Sequence, residues 1–202
     1  MQKQSYKKLA GDTTQIFEIS NKRFVLKIET VKLIEYKNVY VSKNVFIKPK
    51  YLQRIIKNTN EAIREYKIED DSLKIIIVGS KDGFNSYGQY DAINNIVYYN
   101  DVICNKEILL KENIELRHIE RHEMWHYKQA IRYRLKYGFI TFENYLDYLS
   151  YANKLALKLI DRLKINKDNV GEVSMYAKCM YISERYDEVE AEIVAKKGVK
   201  NV

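Results

Sequence analysis

Several features that mark particular protein classes are scarce in this chain of 202 residues. Its only two cysteines are Cys104 and Cys179, so no disulfide framework is predicted. Its apolar runs, such as residues 75–78, are far too short to cross a bilayer. The N-terminal residues lack the apolar core of a signal peptide, and no linker or low-complexity segment is present. These absences predict a cytoplasmic protein with no membrane segment.

Histidine is also scarce, because the chain has three and all lie within residues 118–126. The last five residues of this stretch, from His122 to His126, have the H-E-x-x-H pattern. Four residues of α-helix turn about 400° and rise about 6 Å, so His122 and His126 can share one metal ion. Glu123 is rotated about 100° from His122, which places its carboxylate near an open coordination position. The pattern predicts one zinc ion (Zn²⁺) per chain, with Glu123 as the general base that deprotonates the attacking water.

A catalytic zinc ion usually has three protein ligands, so a third ligand is needed beyond the two histidines. No histidine follows His126 in the chain. Gln129 and Arg132 occupy the positions where the metzincin extension of the pattern has glycine and histidine. An acidic ligand on a later helix is therefore expected, and residues 183–195 are rich in candidates.

Glu188 and Glu192 are four residues apart, on one predicted helical face with the small residues Ala191 and Ala195. Here the sequence resembles the gluzincin peptidases, in which a glutamate ligand is followed four residues later by an acid that hydrogen-bonds a zinc-binding histidine. The resemblance implies Glu188 as the third metal ligand and Glu192 as the acid that orients one imidazole. Glu184 with Glu188 forms a second pair with the same spacing, and the sequence leaves both pairs open.

Two further residues are candidates for supporting roles. His118 precedes His122 by one turn, and its ring is expected about 6 Å farther along the helix than the metal-binding rings. This predicts a role beside a metal-binding imidazole rather than direct ligation. Hydrolysis also needs a donor that stabilises the oxyanion, and a tyrosine is expected because no histidine lies downstream. Tyr186 is the candidate because it is close in sequence to Glu188.

The order of the predicted elements favours an α+β, zincin-like fold with a small mixed sheet, an H-E-x-x-H helix and C-terminal helices. Residues 1–48 are rich in β-forming side chains and are predicted as a β-rich N-terminal region. Residues 49–202 are predicted as a zincin-like metallopeptidase domain. Its expected elements are a helix after Pro49, strands at 73–78 and 90–99, the motif helix at 114–137 and two later helical regions.

The excess positive charge of the chain lies in its first third. Residues 1–66 have 14 lysines and arginines and six acidic residues, which accounts for the whole net charge of +8. This predicts an acidic partner at residues 1–66, and the alternative interpretation is a solvated lysine-rich surface. Because the lysines are scattered rather than clustered, nucleic acid is not favoured as a partner.

The chain also looks like small metallopeptidase-like proteins of bacteriophages and mobile elements, through its tyrosine-rich strand before H-E-x-x-H and the acidic segment from Tyr186 to Glu192 after it. The sequence predicts a zinc-dependent peptidase acting on a peptide or protein substrate, in the cytoplasm or in a virion if the protein is phage-encoded. Two other classes stay open. One is a catalytically silent structural or assembly protein stabilised by its metal, and the other is a nucleic-acid-binding protein that uses the basic N-terminal third.

Overall fold

The computed structural model describes residues 7–19, 22–32, 39–42, 44–112, 114–115 and 117–198. These residues form two compact units, each made from two stretches of the chain. The first unit comprises the described residues of Met1–Lys57 and Asp71–Leu116, and the second those of Asn58–Asp70 and Arg117–Val202.

The first unit contains the strands β1 (Lys7–Ile19), β2 (Lys22–Lys32), β3 (Val39–Ser42), β4 (Lys74–Val78), β5 (Gly88–Asp91) and β6 (Ile96–Asn100). They form one sheet in the order β1-β2-β3-β4-β6-β5. The central strands β3, β4 and β6 are parallel, whereas β2 and β5 pair antiparallel with their inner neighbours. The sheet is therefore mixed, as predicted, and the α+β class is confirmed.

The inner strands of this sheet are almost continuously apolar, as expected of parallel strands buried on both faces. Ile76 and Val78 of β4 pack with Ile96 and Tyr98 of β6 and with Phe84 in one buried cluster. The α-helices in the described residues up to 112 are α1 (Pro49–Glu65) and α2 (Lys106–Lys111). The strand predicted at 73–78 and the helix predicted after Pro49 are thus both confirmed.

The strand predicted at 90–99 is wrong, because this segment is a hairpin of β5 and β6. The carboxylate of Asp91 accepts hydrogen bonds from the backbone N–H groups of Ile93 and Asn94, and Asn95 has a positive φ of 56°. These short polar side chains stabilise a tight turn in the middle of the predicted strand. As a result β5 is an edge strand of four residues, and β6 lies between β4 and β5.

The boundary predicted between residues 48 and 49 falls inside the first unit. β3 precedes this boundary and pairs with β4 beyond it, with Val39 opposite Ile75. The β-rich region expected at 1–48 is present as β1 to β3, but it shares its sheet with later strands. The acidic partner predicted at residues 1–66 would contact many side chains that the structure does not describe. Up to residue 38 the structure describes only backbone, in the strands β1 and β2.

The second unit contains the end of α1 and four further helices, α3 (His118–Tyr137), α4 (Tyr145–Arg162), α5 (Met175–Ile182) and α6 (Tyr186–Lys197). The motif helix α3 ends before Gly138, as predicted, but starts four residues later than expected because Arg117 has a positive φ of 84°. No helix in the described part of the chain has both the length and the apolar character to cross a membrane. An apolar cluster joins α4, α5 and α6 through Ile160, Ile165, Val170, Val173, Ala177, Val189 and Ile193.

Candidate metal centre

Histidines of α3 and glutamates of α6 alternate along the contact between these two helices. His126 lies nearest Glu188, His122 lies between Glu188 and Glu192, and His118 lies nearest Glu192. The earliest histidine contacts the latest glutamate, so the two helices run antiparallel. Both rows repeat every four residues, which keeps each set of side chains on one helical face.

Small side chains allow the two helices to approach closely enough for these contacts. Ala191 and Ala195 of α6 are fully buried, in agreement with the packing face predicted from the sequence. Met124 and Trp125 of α3 are buried as well, and the Trp125 ring makes an edge contact with Tyr66 at 5.1 Å between centroids. The backbone that carries the histidines is therefore held by apolar packing.

Three electron-pair donors converge at one end of this contact. The Nε2 atoms of His122 and His126 are 3.1 Å apart, and each is 3.2 Å from Oε2 of Glu188. A tetrahedral zinc ion with bonds of about 2.0–2.1 Å holds its ligand atoms about 3.3–3.4 Å apart. The triangle formed by His122, His126 and Glu188 thus has nearly the size and the donor types of three zinc ligands.

The charges in this triangle also favour a bound cation. Burial alone would lower the pKa of His122, but hydrogen bonds with Glu188 and Glu192 and the charge of Glu123 raise it to about 10. The pKa of His126 is raised as well, because Glu188 outweighs the effect of burial. Burial would raise the pKa of Glu188, yet the charges of the two histidines hold it well below its usual range. Two imidazole nitrogens and a carboxylate oxygen facing one point need positive charge there, which a proton or a metal ion can supply.

Glu192 and His118 lie next to the triangle, on the side of the His122 Nδ1 atom. The Nε2–H group of His118 donates to Oε2 of Glu192 at 2.9 Å, and the same oxygen is 3.5 Å from Nδ1 of His122. Burial works against the ionised form of Glu192, but hydrogen bonds with His118, His122 and Ser174 lower the pKa of its carboxyl group. Glu192 therefore stays ionised beside the Nδ1 face of His122 and can orient that ring.

Glu123 is buried next to the two histidines, on the neighbouring side of α3. Its charge raises the pKa values of His122 and His126, and it also contributes to the raised pKa of Tyr176. Its carboxylate is therefore close enough to the site to act on it electrostatically, and it is not one of the three groups whose atoms converge. The helical spacing predicted Glu123 as a general base beside the metal, and that role stays a prediction.

The tyrosine beside the triangle is Tyr176 of α5, not the predicted Tyr186. The hydroxyl of Tyr176 donates to Oε2 of Glu188 at 2.9 Å, and its ring lies 6.0 Å from the His122 ring. The ring of Tyr186 packs against Tyr181 at 5.5 Å, in the apolar cluster of α4, α5 and α6. Two residues of helix correspond to about 200°, so Tyr186 points to the opposite side of α6 from Glu188.

Glu188 rather than Glu184 is the acid that the fold brings to the histidines. Glu184 is exposed in the turn between α5 and α6, with a positive φ of 57°. The second oxygen of Glu188, Oε1, accepts a hydrogen bond of 2.9 Å from Arg185, whose guanidinium also binds Asp187. Arg185 and Tyr176 thus hold the Glu188 carboxylate from the solvent side.

Gln129 also contacts the site. From the sequence, no role at the site was predicted for this residue, which occupies the glycine position of the metzincin pattern. Its Oε1 atom lies 2.8 Å from Nδ1 of His126. Its position three residues after His126 on the same helix could have indicated this contact, because residues three apart are neighbours on a helix surface.

Comparisons of the chain with protein-family models, with curated proteins and with solved structures each returned no match. The residues of the site and their geometry therefore carry the functional interpretation.

Proposed function

We propose that this protein is a zinc-dependent peptidase with a zincin-like arrangement, and that Zn²⁺ binds to His122, His126 and Glu188. The observation that carries the proposal is the convergence of one Glu188 oxygen on both histidines of the H-E-x-x-H pattern, at 3.2 Å from each. Glu188 is half-buried and comes from a helix about sixty residues away in the chain, so the fold rather than local sequence brings its oxygen to this point. Strands followed by the motif helix and then by a glutamate-bearing helix give further support to a zincin-like chain order.

When bound, Zn²⁺ supplies Lewis acidity, which polarises a carbonyl group and makes water acidic enough to lose a proton near neutral pH. His122, His126 and Glu188 would hold the ion through three protein atoms, the number usual in catalytic sites. Glu192 orients His122 through its Nδ1 face.

Glu123 and Tyr176 are the residues proposed to act on the substrate. Glu123 takes a proton from the attacking water and transfers it to the leaving amine. The hydroxyl of Tyr176 contacts the Glu188 oxygen of the triangle, and the residue is 45% exposed. A substrate carbonyl can therefore reach it. We assign to Tyr176 the donor role that the sequence assigned to Tyr186, namely stabilisation of the oxyanion.

The test is Glu123→Gln in the full chain, with the exposed Glu172→Gln as a matched control. The amide is nearly isosteric with the acid, so zinc content and fold should be unchanged. Hydrolysis of a quenched-fluorescence peptide library should fall by about 10²–10⁴-fold, which is typical for loss of a general base. Wild-type rates in Glu123→Gln would remove Glu123 from the mechanism.

The second candidate is a metal-stabilised structural or assembly protein without catalysis, carried in a virion if the protein is phage-encoded. The contacts of α3 with α6 favour it, because an ion at the triangle would join two helices far apart in sequence. Zinc-loaded wild type that hydrolyses no peptide, yet melts at a higher temperature than the metal-free chain, would support this candidate. The cytoplasmic location and an acidic partner at residues 1–66 also stay proposals.

A further inference from the structure

The side chain of Gln129 is buried between α3 and α6 and makes three polar contacts. Its Nε2 atom donates to the backbone oxygen of Asp187 at 3.1 Å and to Oε2 of Glu190 at 2.7 Å. Its Oε1 atom lies 2.8 Å from Nδ1 of His126. Gln129 and Glu190 are only 2% and 3% exposed, so water does not compete strongly for these groups.

The partners of Gln129 fix the orientation of its amide. A backbone carbonyl only accepts hydrogen bonds, so the NH₂ group must face the Asp187 carbonyl, and from there it also reaches Oε2 of Glu190 at 2.7 Å. The amide oxygen must then face His126, and only a protonated Nδ1 can donate to it. Rotating the amide by 180° would place three acceptor oxygens together in a buried site, which is strongly unfavourable.

A proton on Nδ1 of His126 leaves the Nε2 lone pair directed at the triangle. That Nε2 atom is 3.1 Å from His122 Nε2 and 3.2 Å from Glu188 Oε2. We propose that Gln129 and Glu190 are positioning residues, which together hold His126 in the tautomer that offers Nε2 to a metal ion. The proposal rests on the proposed zinc site, but not on peptide hydrolysis.

Glu190 is the second acceptor that holds the Gln129 amide in one orientation. Without its carboxylate, Gln129 would have one acceptor, the Asp187 carbonyl, to hold the amide in place. The other oxygen of Glu190 lies 3.8 Å from a guanidinium nitrogen of Arg132, which helps to hold this side chain in place. The Nδ1 atom of His122 has a different neighbour, because the Glu192 carboxylate lies 3.5 Å from it. Each metal-binding histidine therefore has its own acceptor, Glu192 for His122 and Gln129 for His126.

The experiment compares the zinc affinity of full-length variants by competition with a chromophoric chelator. Gln129→Glu replaces the NH₂ donor by an oxygen that faces the Asp187 carbonyl and the Glu190 carboxylate, which should displace the side chain from His126. Zinc binding should weaken by about 10–100-fold, the usual effect of disturbing the support of a ligand. In the exchanged double variant, Gln129→Glu with Glu190→Gln, the carboxylate at position 129 accepts from His126 and the amide at position 190 donates to that carboxylate. Only the Asp187 carbonyl loses the donor that Gln129 supplied. Its affinity should return to within about tenfold of wild type, a non-additive result that general loss of packing would not give. The exposed Gln53→Glu is the control for an added charge and should bind as wild type does.

A spectroscopic readout tests the tautomer itself, independently of activity. In the zinc-loaded chain with ¹⁵N-labelled histidine, His126 should show a slowly exchanging proton on Nδ1 and none on Nε2. A metal-bound Nδ1, or a double variant no better than Gln129→Glu, would overturn the proposal. If no zinc binds, the proposed function fails, and the same spectrum of the metal-free chain at alkaline pH still decides the tautomer. Should Gln129→Glu fail to fold, the metal-free wild-type spectrum at alkaline pH remains decisive, because zinc bound at Nε2 would itself put the proton on Nδ1.

Discussion

Glu188 supplies the only negatively charged atom of the three that converge on the proposed metal position. Substituting Glu188→Gln keeps the size of the side chain, and Tyr176 can still donate to the amide oxygen. It removes the negative charge that lies 3.2 Å from both imidazoles. Residues that only support a metal ligand change affinity by about 10–100-fold, so loss of a ligand should cost about 100-fold or more. At about 1.36 kcal/mol per tenfold, this corresponds to about 2.7 kcal/mol of binding free energy.

Thermal unfolding with and without zinc measures this loss. Zinc that binds only the folded chain raises its stability by RT ln(1 + [L]/Kd), so a hundredfold weaker Kd removes about 2.7 kcal/mol at saturating zinc. A chain of this size shifts its Tm by about 2–4 °C per kcal/mol. The zinc-dependent increase in Tm should therefore be smaller by about 5–11 °C in Glu188→Gln than in wild type. The comparison uses the difference within each variant, because Glu188→Gln also alters the metal-free protein.

The change in the metal-free protein has a defined pH range. The His122–Glu188 contact stabilises the fold above the ordinary pKa of a carboxyl group, about 4.5, and is lost as the pH rises through about 10, the pKa of His122.

Glu184→Gln is the matched control for the zinc measurement, because that side chain is exposed. It should keep the wild-type zinc effect. An equal zinc effect in Glu188→Gln and wild type, or an equal loss in both variants, would refute Glu188 as the ligand.

Two further predictions concern protons and the oxyanion. Zinc affinity should rise by about one to two powers of ten per pH unit near neutral pH, because His122 and His126 have raised pKa values and must lose protons when they bind metal. Calorimetry in buffers of different ionisation enthalpy counts these protons, and release of none near pH 8 would contradict the raised values. Tyr176→Phe should keep stoichiometric zinc and lower kcat by about 10²–10³-fold, as expected for loss of one oxyanion donor. Unchanged kcat would restrict Tyr176 to holding Glu188.

The residues within α3 could be placed from the sequence because their relations are local. The spacing of His118, His122 and His126 fixes their common face once the segment is helical, and Glu123 follows one residue after His122. The pair Glu188 and Glu192 could be proposed from its spacing and the small residues beside it, as one of two possible pairs. The choice between Glu184 and Glu188 needed the fold, since the turn at Glu184 separates α5 from α6.

The supporting residues were harder to predict because their contacts join distant parts of the chain. Tyr176 reaches Glu188 from a separate helix, and no spacing within α6 indicates it. Closeness in sequence favoured Tyr186, but the helical rotation turns that ring away from Glu188. In the first unit, the turn after Asp91 was not predicted, because the residues around it also fit the pattern of one long strand. The domain boundary at 48/49 was placed by a change in local composition, which does not report which strands pair.

The zinc content of the purified full chain tests the central claim most directly. Protein prepared under metal-replete conditions and dialysed against metal-free buffer should hold about one zinc ion per chain, the stoichiometry of a single three-ligand site. His122→Ala and His126→Ala, each folded as judged by circular dichroism, should hold almost none. Wild-type protein without stoichiometric zinc, or full zinc content in both alanine variants, would contradict a metal centre at His122, His126 and Glu188.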